Sequence, residues 1–84
     1  MKTLVRNGTN VSLYLFVDTE VVDIQADKTV VGNPERLIIS DCNTSNATLF
    51  EGVTNPDQWT GWKYLYTAEG GWELNPNWTP PTPV

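Results

Sequence analysis

Turn signals recur along this chain at intervals too short for a helix of ordinary length. Clusters of Asn, Asp, Gly and Pro mark turns because these residues favour or tolerate turn geometry. No window between the clusters repeats apolar residues at spacings of three and four over a helical length. The pattern therefore predicts short β-strands separated by turns at Asn7-Gly8, Asp18-Thr19, Ala26-Asp27-Lys28, Gly32-Asn33-Pro34, Asn43–Asn46, Asn55-Pro56-Asp57 and Ala68–Gly71.

Alternating apolar residues between the turns indicate the strands. The strongest pattern is Val11–Val17, in which both faces are largely apolar, so we expect a central strand that is covered on both sides. Asn7-Gly8 predicts a two-residue hairpin turn between this strand and Thr3–Arg6. The remaining strands are predicted at Glu20–Ile24, Thr29–Val31, Arg36–Cys42, Ala47–Gly52 and in a hairpin from Trp62 to Leu74.

The last third of the sequence adds one turn of helix and an arm. The helical turn is predicted near Pro56–Trp59, because Asn55 can cap it and Pro56 suits the first helical position. The tail carries four prolines, which lack the N–H of a central strand, and it is predicted to be an extended, polyproline-like arm. We therefore expect an all-β fold, a small antiparallel β-sandwich or barrel of about six to eight short strands. Residues 1–75 form the single β domain and residues 76–84 the Pro-rich C-terminal arm.

A chain of 84 residues has to be stabilised here without the usual cross-links of small domains. Cys42 is the only cysteine and histidine is absent, which excludes an intrachain disulfide and a four-ligand zinc site. We expect Cys42 to be a small buried hydrophobe on a strand. The largest side chains should then fill about half of the core, with Trp72 pairing across its hairpin with Tyr64 or Tyr66. The side chains expected in the core are Trp62, Tyr64, Tyr66 and Trp72.

All four tryptophans fall between residues 59 and 78. Trp59 and Trp78 flank the predicted hairpin, in loop and arm, and indole is enriched among the residues that dominate protein interfaces. We therefore predict a partner-binding surface made of Trp59, Trp78, Pro80, Pro81 and Val84. Besides a place in the core and a protein interface, a third interpretation of these aromatic residues is sugar stacking on an exposed indole, with Asp57, Asn75 and Asn77 supplying the polar groups.

Charge and composition exclude several classes of function. The net charge is −5, whereas nucleic-acid affinity comes mostly from Lys and Arg that neutralise phosphates. No stretch approaches the length of a membrane span, and the N-terminus has no signal-peptide pattern. Histidine is absent, so the single cysteine has no imidazole base to activate it as a nucleophile. We expect a non-enzymatic protein with no cofactor, no metal, no nucleic-acid partner and no membrane partner.

Several stretches spanning nearly the whole chain resemble short proteins encoded by marine bacteriophages, cyanophages in particular. The resemblance is carried by Leu4–Tyr14, Asp41-Cys42-Asn43, Leu49–Thr54, Trp59-Thr60-Gly61, Lys63-Tyr64, Trp72 and Asn75–Trp78. It implies a β-rich viral protein, made in the host cytoplasm, that reaches the virion by assembly.

Within that resemblance, the small size, the acidic charge, the expected all-β fold and the missing signal peptide are typical of capsid decoration or cement proteins. Such proteins bind late on the shell and commonly use an extended terminal arm, so the implied partners are a major capsid or other virion protein and copies of the chain itself, in an oligomeric or assembly-bound state. Two alternatives stay open at this point. One is a carbohydrate-binding module of a virion, and the other is a phage inhibitor of a host cytosolic protein.

Overall fold

The computed structural model describes residues 1–79, and its regular secondary structure is entirely β. The predicted all-β fold of short antiparallel strands is confirmed. The arm is described only from Pro76 to Thr79, so the predicted contacts of Pro80, Pro81 and Val84 lie outside the described residues. The eight strands are β1 (Lys2–Arg6), β2 (Ser12–Phe16), β3 (Val22–Ile24), β4 (Thr29–Val31), β5 (Leu37–Ile39), β6 (Ala47–Phe50), β7 (Tyr64–Thr67) and β8 (Gly71–Leu74).

The strands form two three-stranded sheets and one hairpin. The first sheet has the order β2-β1-β6 and the second is the meander β3-β4-β5, both antiparallel. The β7–β8 hairpin is a separate two-stranded sheet that meets the first sheet beside β2 through an isolated bridge between Val11 and Leu65. Backbone bonds from Trp62 N to Ser12 O (3.1 Å) and from Tyr66 N to Asn10 O (2.9 Å) hold this junction.

The prediction that the Val11–Val17 strand is central is wrong. The centre of the first sheet is β1, whose pairs with β2 and β6 run along its length. β2 lies at the side of that sheet, and Tyr14 is 37% exposed. Apolar residues on both faces of a strand predict that other layers pack on both faces. They do not distinguish a central strand from a strand that has a neighbour along only part of one edge.

The turn between β1 and β2 also differs from the prediction. A four-residue loop, 7–10, replaces the two-residue turn, since Arg6 N bonds to Val11 O (2.9 Å) and Asn10 N to Arg6 O (2.9 Å). Gly8 and Asn10 supply the positive φ angles, 90° and 62°, that such a loop needs. A bulge follows at Leu13, because Leu4 pairs with Tyr14 while Val5 pairs with Ser12. The bulge lets two consecutive residues of β2 point inward.

The core lies between the two sheets and is mainly aliphatic. Phe16 is the one aromatic member of the core formed by residues 1–79. The expectation that Trp62, Tyr64, Tyr66 and Trp72 form half of the core is therefore wrong. In the hairpin it is the opposite face, through Leu65, that packs on the core. The buried members are Leu4, Val11, Leu13, Phe16, Val31, Ile39, Cys42 and Ala47, with Val22, Ile24 and Leu65 at the margin.

The long connection between β6 and β7 contains a turn at Asp57 and Gln58 and no helix, so the predicted helical turn near Pro56–Trp59 is wrong. Gln58 has a φ of 49°, which a right-handed helix does not allow. Across residues 1–79, no helix has the length and apolar character needed to cross a membrane.

Candidate functional site

Two of the four tryptophans are held inside the structure by their indole N–H groups. Trp72 Nε1 donates to Thr54 O (2.8 Å), and its ring meets Tyr66 at 4.9 Å and Tyr64 at 5.7 Å in edge-on geometry. Tyr66 lies directly across the hairpin from Trp72, so the predicted aromatic cross-strand pair is confirmed. These contacts fix the hairpin to the 50–54 segment.

Trp59 is the end of a chain of hydrogen bonds that enters the first sheet. Its Nε1 donates to Ser12 Oγ (3.0 Å), which contacts Thr3 Oγ1 (2.6 Å), and Thr3 Oγ1 donates to Tyr14 O (2.9 Å). Thr3 and Ser12 are fully buried, so these hydroxyls need partners. Trp59, predicted from the sequence to bind a partner, is half-buried and anchors the 57–61 loop to β1 and β2.

Trp78 lies at the root of the arm and is half-buried. A turn follows β8, in which Asn75 Oδ1 accepts from Asn77 N (3.0 Å) and Trp78 N donates to Asn75 O (3.1 Å). Lys63 Nζ stands 5.3 Å from the centre of the Trp78 ring, within the range of a cation–π contact. The predicted arm is thus attached to the β domain through its first described residues.

Trp62 is the tryptophan that faces solvent most. It is 51% exposed, and its φ of 74° is in the left-handed region, where a residue with a bulky side chain is strained. Hydrogen bonds hold the strained residue on both sides: Trp62 N donates to Ser12 O (3.1 Å) and Trp62 O accepts from Asn75 Nδ2 (2.9 Å). The indole is therefore presented on a fixed backbone.

A groove and a recess adjoin Trp62. The groove has a volume of about 450 Å³, with an apolar floor from Val11, Leu65 and Trp62 and a rim formed by Thr9, Asn75, Pro76 and Asn77. The recess is smaller, about 100 Å³, and is lined by Arg6, Leu13, Tyr14, Ile39, Asp41, Cys42 and Trp62. We call the surface formed by Trp62, the groove and the recess the Trp62 face.

Basic side chains lie at and beside the Trp62 face, and the acidic residue Asp41 also lines its recess. The Arg6 guanidinium lies 5.7 Å from the centre of the Trp62 ring, and the Nε atom of Arg6 is buried without a hydrogen-bond partner among residues 1–79. Lys63, the next residue, stands against Tyr64 and Trp78. Two of the five basic residues thus lie against indoles near this face.

Cys42 lies beneath the recess and is 3% exposed, so its predicted burial is confirmed. Its predicted place on a strand is wrong, because β5 ends at Ile39 and Cys42 follows in the connection to β6. Burial raises the pKa of the Cys42 thiol above its ordinary value of 9.0; the positive charge of Arg6 lowers this pKa by a smaller amount, and the negative charge of Asp41 adds to the rise. The thiol is therefore protonated at neutral pH and is a poor nucleophile. Residues 1–79 contain no group of three or more His, Cys, Asp or Glu side chains placed to hold a metal ion.

Comparisons with protein families, with curated proteins and with solved structures gave no match. The interpretation of the Trp62 face accordingly depends on its own geometry.

Sequence reasoning missed Trp62 as a surface residue. Trp62, Tyr64 and Tyr66 alternate in the sequence, which suggested one continuous strand face, but the strand begins only at Tyr64. A left-handed φ at a non-glycine residue has no sequence signal of its own. The preceding Gly61 was the one indication that the strand starts later.

Proposed function

We propose that this protein is a non-enzymatic structural protein that acts by contact with other proteins, as a decoration or cement protein on a bacteriophage capsid. It is made in the host cytoplasm and joins the virion by binding the shell. The observation that carries the proposal is the half-exposed indole of Trp62 on a strained backbone that hydrogen bonds hold on both sides.

A rigid exposed indole is well suited to anchor a protein interface. Large aromatic side chains contribute much of the binding free energy at interfaces, and a side chain that is already ordered loses little entropy on binding. Backbone strain is found where the surrounding structure maintains it, often at ligand-binding sites. Trp62 combines these properties with an adjacent apolar groove.

The surface around Trp62 extends the candidate interface beyond one residue. Tyr14 lines the recess and is 37% exposed. Arg6 and Asp41 both line the recess and Lys63 lies nearby, so charged groups of a partner can pair with them at the edge of the contact. The overall charge of −5 disfavours nucleic acid as that partner.

A carbohydrate is the second candidate ligand, and the polar rim of the groove favours it. Asn77 and Thr9 are exposed beside the Trp62 indole. Sites of this type pair an apolar surface with a few polar groups that fix the orientation of the ligand. Binding of a glycan to the isolated protein, lost on Trp62→Ala, would support this candidate over the first.

Quantitative mass spectrometry of purified particles from the encoding phage tests the proposal. We expect the protein in wild-type particles at a copy number comparable to that of the shell subunits. A few copies per particle would instead place it on the tail. Its absence from particles, together with capture of one host protein in infected cells, would contradict the proposal and favour an inhibitor of that host protein.

A further inference from the structure

The groove beside Trp62 has the chemistry of a site for a proline-rich segment. Its floor is apolar, from Val11, Leu65 and Trp62, and its rim carries amide side chains. Polyproline segments bind aromatic-lined grooves because their rings pack on indoles and their extended backbone is already ordered. We propose that this groove binds residues 79–84 of a second copy of this chain.

The indole N–H of Trp62 is the hydrogen-bond donor in the proposed contact. The corresponding groups of Trp59 and Trp72 donate to Ser12 and Thr54. Trp62 is 51% exposed, and its indole N–H donates no hydrogen bond within residues 1–79. A polyproline helix has no internal hydrogen bonds, so its carbonyl groups are acceptors for that N–H.

The chain itself carries a segment of the required kind. Residues 79–84 read Thr-Pro-Pro-Thr-Pro-Val, which places Pro80 and Pro83 three residues apart. A polyproline helix has about three residues per turn, so the two prolines lie on the same side of such a helix. Grooves that bind proline-rich segments recognise prolines at this spacing.

The geometry favours the segment of another copy over the segment of the same copy. Asn75, Pro76 and Asn77 form one wall of the groove, so the chain passes the groove immediately before residue 79. Residues that precede prolines are restricted to extended conformations, and any five-residue polyproline segment spans about 16 Å. A return into the groove needs a reversal that these prolines disfavour.

Reciprocal exchange of this segment produces a two-fold dimer. The groove and the root of the segment lie side by side, so two copies related by a two-fold axis each supply one groove and one segment. The inference rests on the proposed function only in treating the Trp62 face as a contact surface. It concerns contacts between copies, which are measured without any particle.

Sedimentation velocity of the full chain over a concentration series tests the inference. We expect self-association that weakens at least about tenfold in the groove variant Trp62→Ala and in the segment variant Pro80→Ala/Pro83→Ala. Leu74→Ala and Thr82→Ala are the matched controls, because they change an exposed apolar residue outside the groove and a residue between the two prolines. Both should associate like the wild type, and near-UV circular dichroism verifies that every variant is folded.

Mixing the two defective variants decides between a second copy and the same copy. The Trp62→Ala chain keeps its proline segment and the Pro80→Ala/Pro83→Ala chain keeps its groove, so an equimolar mixture should form a heterodimer with one intact contact. A wild-type chain that stays monomeric throughout, or a mixture that does not associate, overturns the inference. Either result leaves binding to the shell untested and therefore does not bear on the proposed function.

Discussion

At the scale of single residues, Trp62 combines a strained backbone with an exposed side chain. Its φ of 74° disfavours every residue except glycine and, to a lesser degree, Asn and Asp. Its indole is 51% exposed, so much of it contributes nothing to the core. The presence of tryptophan at this position is therefore better explained by a contact of the indole with another molecule than by a contribution to folding.

The strain at Trp62 predicts an unusual order of stability for two substitutions. Trp62→Gly and Trp62→Ala remove the same indole, but only glycine adopts a positive φ without cost, so Trp62→Gly should be more stable by about 1 kcal/mol. Urea denaturation followed by circular dichroism measures the difference. At Leu74, on strand β8, the order should be reversed, with glycine the less stable. Equal stability of the two Trp62 variants would mean that the left-handed backbone is not strained.

Cys42 predicts a dependence of stability on pH. Burial raises the pKa of its thiol in the folded state, so the unfolded chain loses the thiol proton first as the pH rises. The contribution of the neutral thiol is thus fully present below the unfolded pKa of about 9 and is lost above it. Urea denaturation of wild type and Cys42→Ala at several pH values should show the wild type losing more stability at alkaline pH. Parallel profiles would contradict the burial of this thiol.

At the scale of elements, the sequence predicted the strands better than their arrangement. Thr29–Val31 was predicted with the observed bounds, and Ala47 begins β6 as expected, because polar turn residues delimit these segments. The centre of the sheet was not predictable from Val11–Val17, since apolar residues on both faces occur wherever two layers meet. The prediction of which hairpin face is buried was also wrong. Alternating residues define the two faces of a strand but do not determine which face packs on the core.

The β7–β8 hairpin depends on Trp72 for its attachment. The indole packs edge-on against Tyr64 and Tyr66 and donates to Thr54 O. The backbone of the hairpin meets the first sheet through the Val11–Leu65 bridge and the two backbone bonds beside it. Trp72→Ala should cost about 2 kcal/mol of unfolding free energy, less than for a fully buried tryptophan because Trp72 is half-buried. Leu74→Ala, at a 61% exposed site, should change stability by less than about 0.5 kcal/mol.

Amide hydrogen exchange locates the effect of Trp72→Ala. Protection should fall in 64–74 before it falls in β1, because the hairpin opens as a unit with few contacts to the rest. A uniform loss of protection across β1, β6 and the hairpin would contradict the view of the hairpin as a separately attached element.

At the scale of the whole molecule, the structure consists of a compact two-sheet core and a face at one side that carries the exposed Trp62 indole. The core is mainly aliphatic and does not include Trp62. Thr3, Ser12 and Trp59 are joined by side-chain hydrogen bonds. Of the candidate site, the sequence indicated the aromatic C-terminal third but selected Trp59, which is bound internally. Exposure at a single tryptophan depends on loop geometry that periodicity does not encode.

The central claim is that the chain functions by contact through Trp62, and particle incorporation tests it most directly. Phage particles assembled with wild type, Trp62→Ala or Leu74→Ala protein would be purified, and the copy number of the protein in each would be measured by quantitative mass spectrometry. We expect Leu74→Ala to be incorporated like the wild type and folded Trp62→Ala to be lost from the particles. Incorporation of Trp62→Ala at the wild-type copy number would contradict the claim.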